Sequence, residues 1–304
     1  MNTSNKVSSP KLLVCGRTAS GKSMLASFLA DKGLKLAESY TTRPKRSEGE
    51  KGHHFISHDE FISMSRNDML CATSHNGYTY FMTKQEILDA DVIVIDPRGV
   101  KEITAHFPDI SFHIAYVHGL DEEKRKFAYL QRVPAEKKIE AEAEFNERNL
   151  GEDEQFTEFD AIFLKRSANP PAPNITVGHC IGNDYTENSD IFRMMNIILH
   201  EMVFAKRLAH ILNDIIRESE TRPELMKSIG LIYDAKSNRF TAHELQMPKD
   251  PSETPDVVTR EIPPSFLIEE MMQHPNGFYY VVGAWLSMAE SISVYNLPQE
   301  PQKG

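Results

Sequence analysis

The sequence predicts an α/β fold: a parallel sheet with helices on both faces, an insert, and a smaller, mainly helical C-terminal region. Three observations predict it. Apolar runs too short for helices, Lys11 to Cys15, Asp91 to Asp96 and Ile114 to Val117, alternate with stretches of helical spacing. Apart from charged residues at their ends, the runs are apolar without alternation, as strands covered on both faces are. The rhythm then breaks between Ser39 and Leu88, and the composition shifts after Lys165.

Taken in order, Lys11 to Cys15 reads as a strand. A glycine-bearing turn follows, and Lys22 to Asp31 spaces Met24, Leu25, Phe28 and Leu29 as a helix. Ser39 to Leu88 holds strand-like pieces around Phe55, Leu70 and Tyr78 to Met82, with helical pieces between them. Its place is over the carboxyl edge of the sheet, where open α/β sheets bind ligands. Asp91 to Asp96 is a second strand, Val100 to Phe107 a helix and Ile114 to Val117 a third strand. The charged run Asp121 to Gly151 is helical, and Asp160 to Leu164 reads as a fourth strand. Asn169 to Pro173 is a stiff spacer. Ile175 to Ile181 offers one more strand. A long helix starts near Ser189, with Phe204, Leu208, Ile211, Leu212 and Ile215 on one stripe. Pro248 to Pro264, rich in proline and acid, reads as a loop. Phe278 to Leu297 is the most apolar part of the tail and holds Trp285.

Composition narrows the function. The chain has 304 residues, enough for about two domains. Hydrophobic residues make up 40% and charged residues 26%, as in ordinary globular proteins. No apolar run approaches the ~20 residues of a membrane helix, which predicts no membrane partner. The net charge of −10 repels a phosphate backbone, which predicts no nucleic-acid partner. Cys15, Cys71 and Cys180 lie far apart without CxxC spacing, which disfavours a disulfide or zinc site and predicts a cytoplasmic location.

The chemistry starts in the first turn. Gly16-Arg17-Thr18-Ala19-Ser20-Gly21-Lys22-Ser23 fits G-x-x-x-x-G-K-[ST], between a strand and a helix. Its glycines let backbone N–H groups curl around phosphate oxygens, and the helix turns its positive end to the same anion. Lys22 is placed to reach the β- and γ-phosphates of ATP, and the Ser23 hydroxyl to hold Mg²⁺. The predicted fold is therefore a P-loop NTPase sheet. Asp96, ending its strand, either supports Mg²⁺ or an acceptor group or caps the next helix through Asp96-Pro97. Ser39 to Arg46 packs Arg43, Lys45 and Arg46 among hydroxyls, and arginine forks match phosphate oxygens. Asn76 to Tyr80 adds a glycine turn and two phenols.

The order of these segments resembles the guanylate kinase family of nucleoside monophosphate kinases. The resemblance covers about residues 10 to 165. It is carried by the phosphate loop, Thr41-Thr42-Arg43, Arg46, Gly49-Glu50, Phe55, Asp59-Glu60-Phe61, Gly77 with Tyr80, Asp96 to Gly99, and Phe159 to Phe163. It implies a domain over 10–206, with residues 39–88 as acceptor-binding insert and 119–151 as lid, and a separate region over 207–304. It implies Ser39, Arg43, Arg46 and Tyr80 on the acceptor's phosphate, with Asp96 beside them. Lys22 and lid arginines, drawn from Arg125, Arg132 and Arg148, screen the transferring phosphate. No side-chain base is needed, because a monophosphate is largely dianionic at neutral pH.

The chain departs from the family where the base is read. Cys71 and Val94 stand where carboxylates are usual, and Thr73 and Ser74 are neutral. That predicts weak discrimination for guanine. Three readings stay open: an active nucleoside monophosphate kinase, a non-catalytic nucleotide-binding or interaction protein, and a P-loop kinase of another phosphorylated metabolite. The apolar stripes of the C-terminal region predict packing on the first domain, on a second copy or on a protein partner.

Overall fold

The structure, a computed structural model, describes residues 7–45, 48–50, 52–75, 77–166, 168–221, 231–234, 237, 239–246, 256–262 and 268. The chain divides into two compact units, Pro10–Met202 and Met1–Ser9 with Val203–Gly304.

The first unit is mixed α/β, with a parallel four-stranded sheet. Its strands are β1 (Lys11–Cys15), β6 (Val92–Ile95), β7 (Phe112–Gly119) and β8 (Ile175–Asn183), in the order β6-β1-β7-β8. Every residue of β1 is buried, which explains its unbroken apolar run. The register pairs Cys15 with Ile95 on one side and with Tyr116 on the other. Gly119 pairs with Asn183. Gly16, Asp96, Gly119 and Asn183 therefore leave the sheet at one edge.

A second sheet follows the order β3-β2-β5-β4. It is built from β2 (Ser39–Thr41), β3 (His53–Phe55), β4 (Met69–His75) and β5 (Tyr78–Thr83). β2 runs parallel to β3 and antiparallel to β5. Helices α1 (Lys22–Asp31), α2 (His58–Ser63), α3 (Lys84–Asp89), α4 (Pro97–His106), α5 (Glu122–Leu130) and α6 (Lys138–Phe159) connect the strands. Ser57 caps α2 with a full capping box through Glu60.

Asp160 to Leu164 is not the expected fourth strand. It is a π-helical turn that continues α6, and the fourth parallel strand is β8. Phe156, Phe159 and Phe163 recur at helical spacing, and all three rings lie against Tyr116. That aromatic face extends the helix through a run short and apolar enough to read as a strand.

Helix α7 (Asp190–Thr221) spans the division between the units. Within the first unit, its Glu201 carboxylate meets the His179 imidazole of β8 at 2.7 Å. In the second unit, the Asn213 side chain binds both the N–H and the carbonyl of Val7, at 2.9 and 2.8 Å.

The C-terminal region, read as mainly helical, also forms an antiparallel sheet among its described residues: β9 (Leu231–Asp234), β10 (Arg239–Gln246) and β11 (Asp256–Ile262), in the order β11-β10-β9. β11 lies inside the stretch read as a loop. Its Val257-Val258-Thr259 core is β-branched, and pairing with β10 outweighs the flanking prolines. Phe278 to Leu297, with Trp285, lies outside the described residues.

Candidate functional site

The turn between β1 and α1 curls tightly. Ala19 and Gly21 take left-handed backbone angles, φ 59° and 113°. The Ser20 N–H closes a turn on the Arg17 carbonyl at 3.1 Å. A Cβ on Gly16 would stand 2.2 Å from the Val117 carbonyl oxygen, so β7 forbids any side chain there. The loop is braced from the β8–α7 connection. Asn183 Nδ2 donates to the Ser20 carbonyl at 2.8 Å, and the Tyr185 hydroxyl to the Ala19 carbonyl at 2.9 Å.

Lys22 opens α1, and its ammonium folds back to donate to the carbonyls of Gly16 and of Arg17, the latter at 2.7 Å. Burial lowers its pKa to about 8, against the opposing pull of Glu152. Ser23 is exposed on the next helical position. The Ser20 hydroxyl is buried and has no hydrogen-bond partner among the described residues.

Two loop side chains are tied to α6 and its π turn. The Arg17 guanidinium grips Asp160 at 2.8 and 3.1 Å, reaches the Tyr116 hydroxyl at 3.0 Å and lies over the Phe156 ring. The Tyr116 hydroxyl donates to the same carboxylate, which these two partners hold below its ordinary pKa despite burial. Thr18 turns to Glu152 instead. Its N–H donates to both carboxylate oxygens at 2.9 Å, and its hydroxyl to one at 2.6 Å.

The loop opens on a cleft of ≈ 570 Å³. One wall comes from the second sheet: Arg43, His53, Thr73, Ser74 and Tyr80. The other comes from α6: Glu147, Arg148, Gly151, Glu152 and Gln155. Thr18 and Asp96 lie between them. Arg43 is buried and prepared for an anion. Glu50 holds its guanidinium at 2.7 and 3.2 Å, Phe55 underlies it, and its Nε has no hydrogen-bond partner among the described residues. Glu50 first, with Tyr80 adding to it, raises its pKa.

Ser39, by contrast, is engaged with His53, Oγ to Nδ1 2.7 Å. Asp96 accepts from the Gly99 N–H at 2.7 Å, so it caps α4 and also faces the cleft. Arg46 lies outside the described residues. Arg148 pairs with Glu144 at 2.7 Å on the cleft wall. Arg132 is exposed beyond α5 and is not part of that wall, although its charge reaches Lys22. Arg125 is buried between Asn149 Oδ1 at 2.6 Å and the Thr18 carbonyl at 3.3 Å.

At the expected base-reading positions, Thr73 and Ser74 line the cleft. Cys71 occupies a bulge of β4 with φ 56°; its N–H donates to Glu102 at 2.9 Å, and burial raises its thiol pKa.

Sequence reasoning missed Glu152, Gln155, Asn183 and Tyr185. Arg148, Glu152 and Gln155 stand at i, i+4 and i+7, one stripe of α6 that in sequence is indistinguishable from a solvated face. Asn183 and Tyr185 had a usable signal, since they leave a parallel strand on the edge that carries the loop. Among the described residues, no group of three or more His, Cys, Asp or Glu side chains is arranged to hold a metal ion.

No protein-family model matches the chain, and no curated protein matches it. Among solved structures, a guanylate kinase from Anaplasma phagocytophilum is similar at 13% identity and TM-score 0.38, over 66% of this chain and 88% of that chain. An uncharacterized protein from Eubacterium ventriosum is similar at 12% identity and TM-score 0.30, over 64% and 98%.

Proposed function

We propose that the chain transfers the γ-phosphoryl group of ATP to a nucleoside monophosphate. One observation supports this best: the curled glycine loop, through Thr18, and a buried, carboxylate-braced arginine border one cleft, with Lys22 opening the helix that follows the loop. A polyphosphate fits the loop's donors, namely the Thr18 N–H, the Lys22 ammonium and the unpartnered Ser20 hydroxyl. Ser23, with Asp96 nearby on the adjoining strand end, suits Mg²⁺, which when bound neutralises charge on the phosphate oxygens. Lys22 then stabilises the transferring group, Arg43 and Tyr80 hold the acceptor's phosphate with Ser39 and Arg46, and Arg148 with Arg132 screens the charge between them. The protein's part is positioning and charge cancellation.

The neutral pair Thr73 and Ser74 faces the base. Each neutral hydrogen bond is worth about 0.5–1.5 kcal/mol, about tenfold at most per bond, so discrimination among bases should be weak. A non-catalytic nucleotide-binding role has one observation in its favour, the Glu152 carboxylate on the loop.

A coupled assay of ADP release with ATP, Mg²⁺ and GMP, dGMP, AMP, CMP or UMP tests the reading. Turnover with at least one acceptor, lost in Lys22→Ala, supports it. Mg-ATP binding without turnover on any acceptor would reduce the protein to a nucleotide binder.

A further inference from the structure

The phosphate loop already holds an anion, and the anion belongs to the chain. We propose that the Glu152 carboxylate stands in for a nucleotide phosphate and closes the loop until nucleotide displaces it. The inference rests on reading the loop as a nucleotide site and names how that site is regulated.

The contacts are those a phosphate oxygen would take. The Thr18 N–H donates to both Glu152 oxygens, and the Thr18 hydroxyl adds a third bond. The Lys22 ammonium is meanwhile turned back on the carbonyls of Gly16 and Arg17. A second observation comes from inside the loop. Ser20 is 0% exposed, its hydroxyl has no partner among the described residues, and it lies 2.7 Å from where a Gly16 Cβ would stand. The loop therefore keeps a buried hydroxyl in reserve, next to Gly16, while Glu152 holds the Thr18 N–H.

Glu152 is also held in place. Asn149, one turn earlier on α6, is gripped by Arg125, which donates to the Thr18 carbonyl and stands 3.9 Å from Glu152. Loop, Arg125 and α6 form one latch. An incoming phosphate must break the carboxylate contacts and meets a like charge until Glu152 withdraws. Apparent nucleotide affinity is reduced by the fraction of molecules that are closed. Arg148 and Gln155 lie on the same helix and on the cleft wall. Withdrawal of Glu152 thus couples nucleotide binding to the shape of the second half of the cleft.

Calorimetric titration of the full chain with Mg-ADP, and separately with tripolyphosphate, tests this. Glu152→Gln keeps the size and removes the charge; it should bind both ligands at least roughly tenfold more tightly than wild type. Glu152→Asp keeps the charge on a shorter reach and should fall between them, and it carries the comparison if the Gln variant does not fold. Equal affinities for wild type and both variants, with binding lost in Lys22→Ala, would overturn the closure and leave the nucleotide site standing. Weaker binding by Glu152→Gln would make Glu152 a supporting group and overturn it too. If neither wild type nor Glu152→Gln binds either ligand, the nucleotide site and its closure fall together.

Discussion

On the proposed function Lys22 is under opposed demands, because a phosphate would need its charge and burial disfavours it. Burial lowers its pKa from the ordinary lysine range to about 8, so the ligand-free protein loses this proton on passing pH 8. Binding requires the charged form. Mg-ADP affinity should therefore weaken above pH 8, by up to about tenfold per pH unit, until the higher pKa of the complex is reached. Lys22→Arg stays charged throughout. Titrations at pH 7, 8 and 9 should show the decline in wild type only; a parallel decline in the arginine variant would assign it elsewhere. Lys22→Ala should cut turnover by on the order of 10²-fold or more with the melting temperature retained. Arg43→Ala should raise KM for every accepted monophosphate by a similar factor, and a loss confined to one base would remove Arg43 from the phosphate. Residues of the loop were legible because their spacing matches a sequence pattern. Arg17 was not, since only the fold shows its guanidinium spent on Asp160.

At the scale of elements, Asp96 combines a cap with a charge. Its carboxylate accepts from the Gly99 N–H at the start of α4 while facing the cleft. Asparagine caps about as well as aspartate. Asp96→Asn should leave stability within about 0.5 kcal/mol, and Asp96→Ala should cost about 1 kcal/mol. If the charge serves Mg²⁺ or the acceptor, ADP release falls in both variants. A fully active Asp96→Asn enzyme would leave Asp96 a cap and nothing more. Buried strands were readable from their apolar runs. The π turn was not, because Asp160 to Leu164 satisfies a strand pattern, and only the rings of Phe156, Phe159 and Phe163 against Tyr116 decide for the helix. The edge strands of the second unit were missed for a related reason. Runs such as Asp256 to Ile262 are polar enough for a loop, and their pairing is non-local.

The molecule as a whole should be sensitive to mild acid. His113, the second residue of β7, is kept neutral by burial, its pKa lowered to about 4, with Glu201 opposing and His179 reinforcing the shift. His118 is shifted the same way by burial. Between pH 6.5 and 4 the unfolded chain binds the proton that the folded chain refuses, so stability falls as pH falls through that window. His113 alone accounts for at most about 3 kcal/mol. Denaturant unfolding at pH 7 and pH 4.5 should show a smaller loss for His113→Val than for wild type. An equal loss would place the acid sensitivity in other groups.

Helix α6 meets the β1–α1 loop near its middle, through Glu152 to Thr18 and Asp153 to Arg17, and again just past its end, through Asp160 to Arg17. Glu152 and Asp160 are separated by about 12 Å of helix, on a rod of 22 residues that is about 33 Å long. Its mechanics are those of a lever with a fixed fulcrum. If the Thr18 and Asp153 contacts open while the Arg17 clamp on Asp160 holds, a 10° swing about Asp160 carries the distant end, near Lys138, through about 6 Å. A pair of dyes, one at Leu150 and one on an exposed residue of α1, would read that angle directly, turning occupancy of the loop into a change of distance.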